Sequence, residues 1–155
     1  MWLNDETFRT VIASTPLVSI DLVVQNAHGE VLLGQRLNRP AQGFWFVPGG
    51  RILKNESLDA AFRRLTLSEL GQAFERHEAR LLDVYEHFYP DSVFGDTAAG
   101  PDTHYVVLGY RLVLPEAESL APPPGQHDRY RWWPRDEMLA SPEVHANSRA
   151  YLRTL

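Results

Sequence analysis

The sequence contains no cysteine, a single lysine and no long uninterrupted apolar run. The lack of cysteine excludes disulfide bonds and thiol chemistry, and makes a cytoplasmic location the default expectation. Because no apolar run is long enough and no charged-then-apolar leader follows Met1, we expect neither a transmembrane helix nor a signal peptide, and no membrane partner. The net charge of −5 argues against a nucleic-acid partner, since proteins that bind nucleic acids usually present a positive surface.

The chain has the length and composition of one globular domain. Its 155 residues are 44% hydrophobic, which is enough for one sizeable core and too little for two ordinary domains, so we expect a single domain over residues 1–155. Hydrophobic periodicity predicts strands at residues 17–25, 30–34, 45–48, 81–89, 103–114 and 130–133, and helices at 4–14, 57–71, 134–140 and 143–152. The polar residues 35–43 and the charged residues 73–80 are expected to form loops or turns. This alternation predicts an α/β sandwich, a mixed sheet with helices packed against it.

The organising stretch of the chain runs from a glycine pair, Gly49 and Gly50, to Gly71. Ser57 can cap a helix there and Gly71 can end it. The apolar face of this helix includes Leu58, Ala61, Phe62 and Leu65 and, at the same spacing, the carboxylate of Glu69. A buried carboxylate must be compensated, so Glu69 should meet either an arginine in a salt bridge or a metal ion.

Other polar residues have two interpretations each. Asp21 interrupts an apolar strand, and is either a hydrogen-bonded residue at the sheet edge or an acidic group that faces a pocket. His87 and Tyr105 border the loop of residues 90–102, where either could be an ordinary half-buried strand residue or part of a site beneath that loop. His127 follows a rigid proline-rich segment and is either solvated or a base that accepts a proton near neutral pH.

The stretch around the helix resembles the Nudix box. Gly50, Glu56, Arg64 and Glu69 fall at the spacings of that motif, which places two further glutamates one and four residues after the arginine. Those positions hold Leu65 and Ser68 in this chain. Neither residue replaces a carboxylate, so the site should hold fewer divalent ions than usual, and ordinary pyrophosphate cleavage is in doubt.

Nearly the whole chain resembles the GDP-mannose mannosyl hydrolases, a divergent branch of the Nudix superfamily. The matching runs are STPLVS (14–19), NRPAQGFWFVPGGR (38–51), RLT (64–66), SELG (68–71), THYVVLG (103–109), GQHDRYRW (125–132) and VHANSRAY (144–151). The resemblance implies a Nudix-type α/β/α sandwich that hydrolyses GDP-mannose, and often GDP-glucose, to GDP and free hexose. Water would attack the anomeric carbon with inversion.

The resemblance also implies residue roles. Mg²⁺, or Mn²⁺ at the same oxygen ligands, would be held by the carbonyl of Gly49 and the side chains of Glu69 and Gln126, with His127 as general base. The other implied site residues are Arg36 and Arg51 on the diphosphate, Asp21 near the sugar, Tyr105 and His87 as further contacts, and Trp2, Leu3 and Phe8 with Arg36 at the nucleotide. The N-terminal segment is expected to contribute across a homodimer.

Two rival hypotheses remain from the sequence. The first is a Nudix pyrophosphohydrolase that attacks phosphorus, against which Leu65 and Ser68 argue. The second is a nucleotide-sugar-binding regulator without turnover, which should show a damaged catalytic set, whereas Asp21, Glu69 and His127 are all present.

Overall fold

The computed structural model describes residues 2–115, 120 and 127–155, with the backbone alone for residues 127 and 128. Its strands are β1 (Leu17–Gln25), β2 (Val31–Arg36), β3 (Trp45–Phe46), β4 (Gly49–Arg51), β5 (Arg80–Tyr89), β6 (Thr103–Val113) and β7 (His127–Trp133). Its helices are α1 (Asp5–Ser14), α2 (Leu58–Leu70), α3 (Arg135–Ala140) and α4 (Ala146–Arg149), with short 3-10 helices at Arg76–Glu78 and Ala150–Thr154.

The strands form one mixed sheet with β1 near its centre. Along the sheet the order is β3, β2, β1, β6, β5, with β7 paired to β2 and β4 paired to β1. β1 runs parallel to β6 and antiparallel to β2 and β4. The predicted α/β fold with a mixed sheet is therefore confirmed.

The two faces of β1 pack against different helices, as the alternation of side chains along a strand requires. Ile20 and Leu22 belong to a core cluster with Phe62 of α2. Val23, on the other face, belongs to a second cluster that includes Tyr151 from the C-terminal 3-10 helix. The sheet therefore lies between α2 and the C-terminal helices, which makes three layers.

Helix α2 has the predicted ends. The Ser57 side chain accepts a hydrogen bond from the Ala60 amide at 3.1 Å, and Gly71 ends the helix at a φ of 78°. Phe62, Leu65 and Glu69 are buried as expected. Leu58, which also lies on the predicted apolar face, is 39% exposed, because it lies in the first turn of the helix at the margin of the core.

Five local predictions were wrong. The glycine pair forms the short strand β4, because it pairs with residues 20 and 21 of β1. Arg36 ends strand β2 instead of lying in a loop, and His127 begins strand β7, because these two residues pair across the sheet. The predicted final helix is a short α4 followed by a 3-10 helix. Residues 76–78, expected in a loop or turn, form a 3-10 helix instead.

No helix within the described ranges is long and apolar enough to cross a membrane.

Candidate active site

One cavity of about 590 Å³ opens where α1, the sheet and α2 meet. Its lining runs from Trp2 to Tyr130, and it includes every residue that the sequence implied for the site and whose side chain or glycine backbone the structure describes. These residues are Trp2, Leu3, Phe8, Asp21, Arg36, Gly49, Arg51, Glu69, His87 and Tyr105. The fold therefore brings together residues up to about a hundred positions apart in the sequence.

The remaining predicted residues are His127 and Gln126. Gln126 lies outside the described residues, so the prediction for it stays a prediction. The backbone of His127 pairs with that of Arg36 at the start of β7, and Arg36 itself lines the cavity. The role of His127 therefore also stays a prediction, supported by its pairing with a residue of the cavity lining.

Asp21 is a buried carboxylate between two glycines. In the register of the sheet it lies opposite Gly49 of β4 on one side and Gly109 of β6 on the other. Its Oδ2 accepts a hydrogen bond of 2.6 Å from the Tyr151 hydroxyl. Burial raises the pKa of Asp21 to about 7, although the Tyr151 hydrogen bond and the charge of Arg36 act in the opposite direction. Of the two interpretations of Asp21, the structure therefore supports an acidic group that faces a pocket.

Glu69 lies in the last turn of α2, and its carboxylate is the only one that α2 contributes to the cavity lining. Its Oε2 accepts a long hydrogen bond of 3.4 Å from the Tyr130 hydroxyl. Burial raises the pKa of Glu69 to about 7, against the opposing charge of Arg36. Leu65 and Ser68 also line the cavity, so the positions of the missing glutamates face the site and leave it without their charge.

Four arginines line the cavity, and two of them are neutralised. Arg64 makes a two-pronged ion pair with Glu56, with an Nε–Oε2 distance of 2.7 Å, and also donates to the Arg51 carbonyl at 2.9 Å. Arg39 pairs with Asp91 at 3.2 Å.

Arg36 and Arg51 are the other two. Within the described residues neither forms an ion pair with a carboxylate. Arg36 donates through Nε to the Pro40 carbonyl at 2.9 Å, and the Arg51 guanidinium lies 4.8 Å from the centre of the Phe8 ring. Their positive charge is thus available to an anion that enters the cavity.

The aromatic wall of the cavity has an open end and a closed end. Trp2 is 81% exposed and Phe8 is half-buried, so both rings can be reached by a planar group at the mouth. His87, at the inner end, is only 5% exposed and packs edge-on against Phe46. Burial lowers the pKa of His87 to about 4, with a smaller contribution from His145. His87 is therefore a neutral imidazole at physiological pH.

The donors in the cavity fit a hard divalent cation. The buried Glu69 carboxylate and Gly49 supply oxygen atoms, which are the ligands that Mg²⁺ and Mn²⁺ prefer. A Cβ at position 49 would lie 2.3 Å from the Ile20 carbonyl and 2.7 Å from Asp21 Oδ1, so glycine alone allows the backbone to lie this close. Within the described part of the chain, no group of three or more His, Asp or Glu side chains could hold a metal.

Sequence reasoning missed a second group of site residues. Tyr89 and Tyr130 line the cavity, and Tyr151 lies behind it. The Tyr89 hydroxyl accepts a hydrogen bond of 3.1 Å from the Asn147 side chain. Tyr151 belongs to the VHANSRAY run, but its contact with Asp21 joins residues 130 positions apart. No local sequence pattern therefore indicates this contact.

The profile of the NUDIX domain matches residues 15–155. The low-salt glycan biosynthesis protein Agl8 of Haloferax volcanii is 41% identical over 112 residues, 72% of this chain and 68% of that protein. A MutT NUDIX hydrolase from Burkholderia pseudomallei superimposes with a TM-score of 0.70 at 28% identity, over 92% of this chain and 99% of that one. The NUDIX domain of NrtR from Shewanella oneidensis, solved with ADP ribose, shares the fold, with a TM-score of 0.68 at 19% identity over 99% and 96% of the two chains.

Proposed function

Because the chain belongs to the Nudix hydrolase family, we propose that residues 1–155 form one Nudix domain that hydrolyses GDP-mannose, and GDP-glucose, to GDP and free hexose. Water attacks the anomeric carbon with inversion, and the bond from that carbon to the β-phosphate oxygen breaks. The observation that carries this proposal is the charge of the cavity. Among the described lining residues the carboxylates are Glu69 and Asp21, and Leu65 and Ser68 face the site without charge.

Attack on phosphorus places a large negative charge on the phosphoryl oxygens, which several divalent ions usually neutralise. One carboxylate from α2 cannot gather such a cluster. Attack on the anomeric carbon instead creates positive charge on the sugar, and a carboxylate beside the ring stabilises it. Asp21 is a second carboxylate on the sheet side of the cavity, which suits this requirement.

The departure of GDP requires that its charge be spread over donors. Arg36 and Arg51 line the cavity without carboxylate partners and can donate to the diphosphate oxygens. Arg51 is oriented in part by the Arg64 guanidinium, which holds the Arg51 carbonyl at 2.9 Å. Tyr105 and His87 are the further contacts we propose for the diphosphate or the sugar.

We assign Glu69 and the carbonyl of Gly49 as ligands of Mg²⁺, or Mn²⁺, and add Gln126 as a third ligand on the basis of the sequence resemblance. When bound, the ion supplies Lewis acidity to the diphosphate leaving group. His127 is the proposed general base that takes a proton from the attacking water. The pairing of its backbone with Arg36 supports a place beside the cavity.

The guanine would lie at the mouth of the cavity against Trp2, Leu3 and Phe8. An exposed Trp2 is a suitable stacking surface, and a partner subunit in a homodimer would cover it. The name of the Haloferax relative refers to glycan biosynthesis, which supports a nucleotide sugar as the substrate class. A cytoplasmic location, where nucleotide sugars are made, completes the proposal.

The decisive experiment is hydrolysis of GDP-mannose with Mg²⁺ in ¹⁸O-labelled water, followed by mass analysis of every product. We expect the label in free mannose and unlabelled GDP. Label in GMP or in mannose phosphate would mean attack on phosphorus and would overturn the proposal. Binding of GDP without any product would favour a regulator.

A matched pair of histidine variants tests the assigned base. H127Q should lower kcat by about 10²- to 10⁴-fold and leave GDP affinity nearly unchanged, since a base acts only in the chemical step. His77 is exposed on the 3-10 helix after α2 and does not line the cavity, so H77Q should retain wild-type kcat. Full turnover by H127Q would show that the base is another group.

A further inference from the structure

The carboxylate of Asp21 is held from behind by the C-terminal segment. Tyr151 is fully buried in the 3-10 helix Ala150–Thr154, and its hydroxyl donates to Asp21 Oδ2 at 2.6 Å. Tyr151 does not line the cavity. A short hydrogen bond to an ionised acceptor is among the stronger ones in proteins, and burial keeps water from competing for it.

A glycine makes this approach possible. Gly109 of β6 lies opposite Asp21 in the sheet register. A Cβ there would lie 2.9 Å from Tyr151 Cε1 and 2.9 Å from Tyr85 Cε2, closer than such atoms can approach. The Tyr151 ring therefore passes over the bare backbone of Gly109 to reach the carboxylate.

The two oxygens of Asp21 consequently face different surroundings. Oδ2 is occupied by Tyr151, whereas Oδ1 lies on the side of Gly49, as the 2.7 Å separation from a Cβ built at Gly49 shows. A carboxylate can rotate about its terminal bond unless one oxygen is fixed. The hydrogen bond from Tyr151 thus sets which oxygen is presented to the cavity.

The same C-terminal segment braces two neighbouring parts of the cavity. The Ser148 hydroxyl oxygen accepts from the Val47 amide at 3.0 Å, two residues before Gly49. The Asn147 amide donates to the Tyr89 hydroxyl at 3.1 Å. Tyr151 is therefore one contact of a continuous support, which limits how far it can move.

We infer that Tyr151 is a positioning residue for Asp21: it fixes the carboxylate in the orientation that stabilises positive charge on the sugar. The inference rests on the proposed function for the identity of the reaction. Because the support is needed when charge develops on the sugar, its loss should lower kcat and leave the KM for GDP-mannose almost unchanged.

The test is a double-mutant cycle with Y151F and D21N. Y151F should lower kcat by about 10- to 100-fold with KM within about 2-fold of wild type, since small displacements of a catalytic group have such costs. In the D21N background, Y151F should change kcat by less than about 2-fold, because the group on which it acts is already lost. An equal loss in both backgrounds, or an unchanged kcat in folded Y151F, would overturn the inference.

Tyr85 offers a matched control. Its hydroxyl is hydrogen-bonded to Thr154 of the same 3-10 helix at 3.2 Å, and its ring packs 4.7 Å from that of Tyr151, but it does not line the cavity. Y85F also removes one hydroxyl that anchors the segment, so kcat should stay within about 2-fold of wild type. A loss in Y85F as large as that in Y151F would indicate general loosening and refute a specific role.

Urea unfolding of wild type, Y151F, D21A and the double variant separates this inference from the proposed function, because alanine leaves no acceptor for the Tyr151 hydroxyl. Y151F should lower the unfolding midpoint more in the wild-type background than in D21A, whatever the substrate. Absence of GDP-mannose turnover in wild type would refute the proposed reaction, and the unfolding cycle would still decide the contact. Equal shifts in both backgrounds would refute the contact. Should Y151F fail to fold, G109A displaces the ring without removing the hydroxyl and takes its place in the kcat cycle.

Discussion

Replacing Gly109 by alanine tests how tightly the core holds the Tyr151 ring. Two effects compete. Alanine restricts the unfolded chain more than glycine does, which stabilises a protein by about 0.4–1 kcal/mol where the backbone conformation is allowed. The added methyl carbon, however, would lie 2.9 Å from ring atoms of both Tyr151 and Tyr85, where ordinary contact begins at 3.4 Å.

The steric effect should dominate because the rings cannot move away freely. Tyr151 is fully buried, and both rings pack against each other edge-on at 4.7 Å. Overpacking of a dense core costs about 1–3 kcal/mol, so we expect a net loss of about 1–2 kcal/mol in the free energy of unfolding. A shift of the ring by about 0.5 Å would also stretch the 2.6 Å hydrogen bond to Asp21 beyond its best range.

Urea unfolding followed by circular dichroism measures the loss, and kcat on GDP-mannose measures the effect on the site. We expect kcat to fall by about 10-fold while the fold is retained. The control is the same substitution in a Y151L background, which removes one of the two ring contacts, so G109A should there cost less than it does in wild type. A G109A protein at least as stable as wild type would refute the reasoning.

Two further predictions concern the support of the site. The pKa of His87 in the folded protein, about 4, lies below its ordinary value of 6.5. As the pH falls, the unfolded chain therefore binds the proton first. The stability that neutral His87 contributes is complete above about pH 6.5 and is lost as the pH falls toward 4. Through His87 alone, the free energy of unfolding should fall by up to roughly 3 kcal/mol between pH 6.5 and 4, while the raised pKa values of Asp21 and Glu69 act in the opposite direction. In thermal melts H87Q should therefore gain stability relative to wild type as the pH falls; a difference that does not change with pH would contradict the assignment. S148A removes the acceptor of the buried Val47 amide and should lower the free energy of unfolding by about 1–3 kcal/mol. S14A, at an exposed position, should change that free energy by less than about 0.5 kcal/mol. An equal effect of the two substitutions would show that the hydrogen bond contributes nothing.

The helix at the centre of the chain could be predicted from local chemistry. Ser57, Gly71 and the apolar positions between them specify α2 through capping and spacing, which depend on neighbours within a few residues. The same spacing placed Glu69 on the buried face, as the structure shows. Leu65 and Ser68 were recognised from their positions after Arg64. These features are local, so the sequence alone determined them.

Strand boundaries and short helices were less predictable. The glycine pair has no side chains that could signal a strand, and it forms β4 only because β1 supplies partners for its backbone. The predicted final helix is α4 followed by a 3-10 helix, and Tyr151 of the 3-10 helix is buried against the sheet. The segment that packs on the sheet is therefore not a regular α-helix. Pairing and packing of this kind involve residues distant in the sequence, and local propensity cannot report them.

The candidate site shows the same division. The sequence determined which residues we propose for the chemistry: one glutamate on α2, one aspartate in β1, and the arginines that end β2 and β4. Only the tertiary structure decided their surroundings, because burial and partners arise when the sheet forms. It pairs Arg39 and Arg64 with carboxylates, leaves Arg36 and Arg51 facing the cavity, and places Asp21 between Gly49 and Gly109 within reach of Tyr151.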